Sequence, residues 1–300
     1  MNIIDIHVHT AISSLNTMLY PEYDMVKLKN DCITNNIKQA AVFLNPFVKQ
    51  ILCPVDHHHK IKTLDSSCRG FLRLYCTVCN RVYYEGIDPI RDYNEKLLEQ
   101  CLYDNTLLPF VFLNISKSST VSEMEYFEKM YGSRIVGYKM HPALSNRSID
   151  EFDYLPTNKP IIIHTGVGEF EHPMHVINFS RTHKGKILLS HFAKFEEESL
   201  HEISRNENLF VDSSPSCFIY NQHLLKPDKI FDINYLDGFD SWQDMMRKAF
   251  KGFGIEKIVY GSDSPWGNMN NELSAICNSG FSDREIENYL YYNARSFIGI

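Results

Sequence analysis

The chain has 300 residues, a net charge of −7 and a 44% hydrophobic fraction. That fraction supports a sizeable core and excludes a disordered chain, while the acidic balance gives no general attraction to nucleic acid or to an anionic membrane. No apolar run approaches the ~20 residues of a membrane span, and the first residues lack a signal peptide's basic, apolar and cleavage regions, so the expectation is a cytoplasmic protein with reduced thiols.

The first predicted strand is NIIDIHVH (2–9). Strand alternation puts Asp5, His7 and His9 on one face and Ile4, Ile6 and Val8 on the other. Two imidazoles at i and i+2 can reach one metal ion, although an HxH pair alone also suits a strand edge with solvated histidines. A helical pattern, YDMVKLKNDCITNNIK, leads to the second strand, QAAVFLNP (39–46). Residues 47–89 then form an insertion too long for a plain loop, predicted to be a subdomain or lid. Beyond it the helix RDYNEKLLEQCLYD leads to LPFVFLNI (108–115), and VSEMEYFEKMYG leads to IVGYKMHP (135–142). The remaining strands are PIIIHTG (160–166), KILLSHFA (186–193), LFVDSSP (209–215) and KIVYGSDSP (257–265). The helical patterns HVINFSRTHKG, EEESLHEISRNE and SWQDMMRKAFKGFG separate these strands, and DREIENYLYYNARSFIG closes the chain.

Eight apolar strands alternating with helices predict an α/β fold with parallel pairing. The count favours a distorted (β/α)8 TIM barrel, residues 1–300, with the insertion after its second strand. An open doubly wound sheet would more often place a glycine-rich phosphate loop after its first strand. This chain has HVHTAISS there.

Barrel chemistry sits at the C-terminal ends of the strands. Those positions hold His7 and His9, Lys139 and His141, His164, His191, Asp212 and Asp263. Singly, each histidine could cap a strand and each aspartate a turn. Together they deliver imidazole, amine and carboxylate to one rim, as a Zn-like divalent site with an open position requires. In the insertion, CPVDHHHKIKTLDSSCRGFLRLYCTVC brings Cys53, Cys68, Cys76 and Cys79 together with His57, His58 and His59. The CxxC at its end suits a second, structural zinc site, although the spacing matches no standard finger and free thiols on a lid are the plainer alternative. Tyr83, Tyr84 and Arg91 follow, where a lid would select substrate.

The ordered set DIHVHT, GYKMHP, PIIIHTG, ILLSHFA, FVDSSP and YGSDSPWG, with the closing NARSFIGI, resembles the amidohydrolase superfamily of metal-dependent hydrolases. The likeness is specifically to the amidohydrolase-2 branch that includes aminocarboxymuconate-semialdehyde decarboxylase. The resemblance implies that His7, His9, His164 and Asp263 ligate a divalent metal, zinc by expectation, and that His191 either holds a second metal or polarises substrate. Four ligands complete a site with one place open for water, which favours one metal over two and leaves a second open. Lys139 is either a carboxylated bridge, as in binuclear members, or an ordinary ammonium that neutralises a substrate carboxylate. His141, Tyr84 and Arg91 are candidate substrate contacts. The implied activity is hydrolysis of an amide, ester or lactone of a small polar metabolite. A metal lowers the pKa of its water to about 7, Asp263 takes and passes on the proton, and His191 donates to the oxyanion. Non-oxidative decarboxylation on the same site is the nearest alternative.

Two other functions fit less well. A TatD-type deoxyribonuclease would carry a glutamate where this chain has Lys139 or His141. A non-catalytic metal-binding barrel has no need of Asp263. Expected partners are a small-molecule substrate and, as for many such barrels, a second copy of the chain; no nucleic acid or membrane partner is expected.

Overall fold

The computed structural model describes residues 1–10, 24–44, 61–66, 71–76, 78–80, 82–87, 89–113, 120–145, 147–152, 155–166, 168–225 and 238–300. Its strands are β1 (Ile4–Thr10), β2 (Gln39–Leu44), β3 (Ile61–Ser66), β4 (Phe71–Cys76), β5 (Val82–Ile87), β6 (Leu107–Leu113), β7 (Gly137–Met140), β8 (Ile161–Ile163), β9 (Ile187–Leu189), β10 (Leu209–Asp212) and β11 (Ile258–Val259). Eight of them form one sheet in the order β1-β2-β6-β7-β8-β9-β10-β11, with parallel pairing throughout. The ends of this sheet meet, because Ile6 N–H donates to Tyr260 O (3.0 Å), His9 N–H to Ser264 O (2.8 Å) and Asp263 N–H to His7 O (2.8 Å). The fold is a TIM barrel.

β3, β4 and β5, inside the insertion, pair antiparallel as a three-stranded sheet, which the sequence pattern did not reveal. Cys76 ends β4 and Cys79 lies exposed in the turn that follows. Cys53, Cys68 and His57–His59 lie outside the described residues, as do the side chains of Cys76, Tyr83 and Tyr84.

Two hydrophobic clusters separate the lumen from the outer layer. Ile4, Ile6, Ala41, Phe43, Phe110, Ile162, Leu188 and Val259 fill the inside together with Phe297 and Ile298 from the chain's end. Val8, Val42, Ile161, Ile163, Leu189 and Val211 face the helices, meeting residues such as Leu28, Leu97, Phe127, Ile203 and Met245. β1 departs from strict alternation. Asp5 pairs with Ala40 but Val8 with Val42, so β1 carries one extra residue between them. A one-residue bulge moves everything beyond it to the other face. Ile4 and Ile6 therefore share the lumen with His7 and His9, whereas Val8 points outward. Asp5 does not join the histidines. Its Oδ1 accepts the N–H groups of His7 (3.1 Å) and Ser262 (3.0 Å), which ties β1 to the last strand. Burial pushes its carboxyl up to about 7.

The helices expected from periodicity are present: α1 (Met25–Thr34), α2 (Pro89–Gln100), α3 (Thr120–Tyr131), α4 (Pro173–Ser180) and α5 (Glu197–Arg205) precede the two described next. α6 (Ser216–Leu225) and α8 (Met269–Cys277) were not expected. In α6, Phe218 and Leu224 are exposed, so apolar residues surround the helix and leave no stripe to detect. α7 (Trp242–Phe253) starts on the Ser241 side chain, which accepts Asp244 N–H, and ends at Gly254 with φ 89°. The chain closes with a helical run from Asp283 to Ile298 that widens at Asn288–Tyr292.

Glu272 of α8 holds the start of α6. It accepts Cys217 N–H (2.9 Å) and the Ser216 hydroxyl, which in turn accepts Trp242 Nε1–H (3.1 Å). Burial pushes its carboxyl up to about 7. A group whose pKa is higher folded than unfolded favours the folded state at low pH and loses that contribution as pH rises through the folded value. Glu272→Gln keeps the acceptor and removes the titration. Urea unfolding from pH 4 to pH 8 should show a flatter pH dependence in the variant, with a relative gain on the order of 2 kcal/mol at pH 8. Parallel curves for the two proteins would contradict this role.

Candidate metal centre

His7 and His9 end β1, and Asp263 follows β11 at φ 55°. His7 Nε2 lies 3.3 Å from His9 Nε2 and 3.4 Å from Asp263 Oδ1, which is 3.2 Å from His9 Nε2. Bonds of about 2.0–2.1 Å to one ion at tetrahedral angles set donor separations of about 3.3–3.4 Å. The three groups are buried and present one oxygen and two nitrogens at that spacing. They therefore fit a divalent cation.

The groups behind this triangle fix which ring nitrogens face it. His7 Nδ1–H donates to Asp212 Oδ2 (2.7 Å) and His9 Nδ1–H to Leu44 O (3.1 Å), leaving both Nε2 lone pairs toward the cation position. Asp212 also accepts His191 N–H (2.8 Å), Ser214 N–H (3.1 Å) and Ser214 Oγ–H (2.6 Å) on Oδ1. A Cβ at Gly261 would stand 2.8 Å from His7 Cβ and 2.9 Å from Ser214 Cβ, so only glycine admits this close approach. Burial alone would raise the Asp212 carboxyl. The His7 imidazole outweighs it, and the carboxylate is held well below its usual range. Burial and His7 oppose each other in the same way at Asp263, which settles at about 2.

Lys139 on β7 is fully buried beside this triangle. Its Nζ lies 3.2 Å from Ser190 Oγ, 3.5 Å from His7 Nε2 and 4.9 Å above the Phe43 ring. Burial brings its ammonium down to about 8. His191 Nδ1–H donates to the Ser214 carbonyl, so its Nε2 carries the lone pair. Burial, with Lys194 adding to it, lowers His191 to about 3. The neutral ring therefore presents an acceptor at Nε2.

The other expected residues fall in different places. His164 Nδ1 is 3.1 Å from His191 Nε2, and the two ring centroids are 4.8 Å apart. The donor atoms of His164 group with those of His141 and Glu171, all within 4.8 Å, separately from the His7–His9–Asp263 set. Arg91 is held by Glu123 (Nε to Oε2, 3.2 Å) and stacks 4.6 Å over the Tyr126 ring, between the first turns of α2 and α3. That pairing holds its guanidinium between the two helices.

Pattern reading missed two groups at the mouth. Glu171 ends a single 3-10 turn (Glu169–Glu171), too short for a periodicity to flag it. Lys194 lies in the turn His191–Phe195, where five consecutive residues have φ between 47° and 59°. Burial lowers the Lys194 ammonium, with Asp263, Glu171 and Asp212 opposing, so its charge faces the same centre.

Residues 156–300 match the model of the amidohydrolase family. The matched segment carries His164, His191, Asp212 and Asp263. A comparison with curated proteins found no match. Among solved structures, the chain is similar to 5-carboxyvanillate decarboxylase from Sphingomonas paucimobilis, at 11% identity and TM-score 0.65, covering 100% of this chain and 99% of that one. It is also similar to dihydroxybenzoic acid decarboxylase from Polaromonas, solved with bound manganese, at 15% identity and TM-score 0.62, covering 100% and 97%. A protein from Pseudomonas putida assigned as a 2-pyrone-4,6-dicarboxylic acid hydrolase aligns at 12% identity and TM-score 0.56, covering 99% and 97%. At these identities the likeness is one of fold. Among the described residues, no helix is long and apolar enough to cross a membrane.

Asp212→Asn tests the support behind the triangle. An amide would donate to His7 Nδ1 and turn Nε2 into an N–H that faces the cation position. Divalent-metal affinity, measured by titration calorimetry on chelator-stripped protein, should fall about 10–100-fold. Unchanged affinity would remove Asp212 from the centre.

Proposed function

We propose that this chain is a divalent-metal-dependent enzyme that hydrolyses an amide, ester or lactone bond of a small polar metabolite. The observation that carries the reading is the triangle of His7, His9 and Asp263, with each imidazole oriented from behind by a hydrogen bond to Asp212 or Leu44. The borderline N2O donor set suits zinc and also admits manganese, with His164 the expected further ligand from β8. A divalent cation supplies Lewis acidity and makes a water acidic enough to lose a proton near pH 7.

The chain's own groups account for the rest. Asp263, beside His7 Nε2 and His9 Nε2, would hold the cation and accept the proton of the attacking water. Asp212 keeps His7 in one tautomer and, through the His191 N–H, holds the next imidazole in place. Neutral His191 presents an acceptor at Nε2 toward His164 and the mouth. The Lys139 and Lys194 ammonium groups supply positive charge for a developing oxyanion or a substrate carboxylate.

Decarboxylation is the second reading. Two of the structural relatives above are decarboxylases, and a buried ammonium beside the metal position would equally hold a carboxylate and the charge left as carbon dioxide departs. Protein stripped with a chelator and reloaded with zinc or manganese should be screened for acid release from lactones, esters and amides, and in parallel for carbon dioxide from small aromatic acids. Turnover should require metal. His9→Asn and Asp263→Asn should each lower kcat/KM by about 10²–10⁴-fold. Carbon dioxide release without acid release would move the assignment to the lyase, and metal-independent turnover in either assay would overturn both.

A further inference from the structure

We propose that Asn94, on α2, is a positioning residue of the metal centre: it stands in for a sheet neighbour of β6 and so frees the Leu44 carbonyl to orient His9. This role rests on the reading of His7, His9 and Asp263 as a cation site and concerns how one of those imidazoles is held.

β2 lies between β1 and β6. In a parallel ladder every second residue turns its N–H and C=O to the same neighbour. Ala40 N–H donates to Thr106 O (2.9 Å), so Ala40, Val42 and Leu44 are the residues of β2 whose backbone groups belong to β6. The pairing runs Ala40 with Leu107, Ala41 with Leu108 and Val42 with Pro109, and ends there. Continued in the same register, it would set Phe112 N–H on Leu44 O and would need an N–H from residue 46 for Phe112 O. Residue 46 is a proline and has none. β6 itself continues to Leu113 and pairs with β7 through Phe112–Lys139 and Leu113–Met140. The sheet therefore splits between β2 and β6 at the mouth.

Asn94 satisfies the strand edge that the split exposes. Its side chain is buried; Oδ1 accepts Phe112 N–H (3.0 Å) and Nδ2 donates to Phe112 O (2.8 Å). One planar amide, carrying an acceptor and a donor side by side, thus supplies both bonds that the ladder would have supplied. The preceding residue, Tyr93, is fully buried and bonds through its hydroxyl to Thr10 Oγ1 at the end of β1. α2 is thereby fastened to the strands on both sides of β2.

Leu44 O, released from β6, accepts His9 Nδ1–H across 3.1 Å. β1 and β6 flank β2 on opposite sides, so a Leu44 carbonyl turned to Phe112 at ladder geometry would be turned away from His9. A neutral His9 deprived of that acceptor is free to carry its proton on Nε2, where it presents a donor to the cation position in place of a lone pair.

The test uses the full chain, stripped with a chelator. Zinc affinity is read by calorimetric titration, taking the component of the isotherm that His9→Asn lacks. The His9 tautomer is read by NMR of metal-free protein carrying isotope-labelled histidine, the His9 signal being the one absent from His9→Asn. Wild type should hold the His9 proton on Nδ1. Asn94→Leu, similar in volume but without hydrogen-bonding groups, should lose the proton from Nδ1 and weaken zinc binding about 10–100-fold. Asn94→Asp keeps an acceptor for Phe112 N–H, so both readouts should stay close to wild type even where thermal stability falls. Wild-type readouts in Asn94→Leu would overturn the role and leave the metal centre standing. Equal losses in Asn94→Leu and Asn94→Asp would make Asn94 a packing residue and overturn it too. An isotherm of His9→Asn identical to wild type would instead overturn the metal centre, and the NMR comparison would still decide what Asn94 does to His9. Should Asn94→Leu fail to fold, an Nε2 proton on His9 in metal-free wild type overturns the role, and an Nδ1 proton in both wild type and Asn94→Asp supports it.

Discussion

The carboxylate of Asp212 organises this barrel mouth. From the end of one strand it accepts from the His7 ring, from the backbone N–H of His191, and from both donors of Ser214. Three strands are thereby tied to one buried charge. Removing water from a carboxylate is costly, and what makes it tolerable is that every hydrogen bond goes to the ionised form. The arrangement transmits orientation: it sets the His7 tautomer, and Ser214, held by the same carboxylate, offers the carbonyl that sets the His191 tautomer. One buried charge thus determines which nitrogens across the mouth are donors and which are acceptors.

A second constraint is backbone strain. His191 to Phe195 wind in the left-handed sense, a conformation that costs L-residues roughly 1–2 kcal/mol each. Nothing local favours it, since none of the five residues is glycine or asparagine. It persists because Phe192, Ala193 and Phe195 are fully buried in the outer core, where Phe192 and Phe195 stack at 4.8 Å, and because Asp212 holds the first N–H. Asp263 also sits at φ 55°. Both strained points lie where the chain leaves the barrel and presents a polar group to the mouth, as expected where surrounding packing over-determines the backbone.

The barrel was legible because its strands are long apolar runs and most of its helices have a single buried stripe. Where a helix is apolar on all sides, as in α6, periodicity carries no signal. Strand ends were overextended for the same reason: SHFA and SDSP look like strand continuations, but His191 and Asp263 take backbone angles that no apolar pattern announces. The bulge in β1 is the subtler case. Parity puts Asp5 with the histidines, and one extra residue reverses it. The geometry that moved Asp5 out of the lumen also made it an acceptor for His7 N–H and Ser262 N–H, so the aspartate in DIHVHT serves the seam between the first and last strands. Lys194 and Glu171 were invisible for a different reason. Each lies in a short turn without periodicity, and only the folded turn reveals what it faces.

Charge balance ties these observations together. Asp212 and Asp263 are held ionised at the centre, and the Lys139 and Lys194 ammonium groups face them, so without metal the inner mouth is close to neutral. A divalent ion among His7, His9 and Asp263 would leave that region with excess positive charge in surroundings that screen poorly. Such a pocket favours an anionic ligand over a neutral one of the same shape.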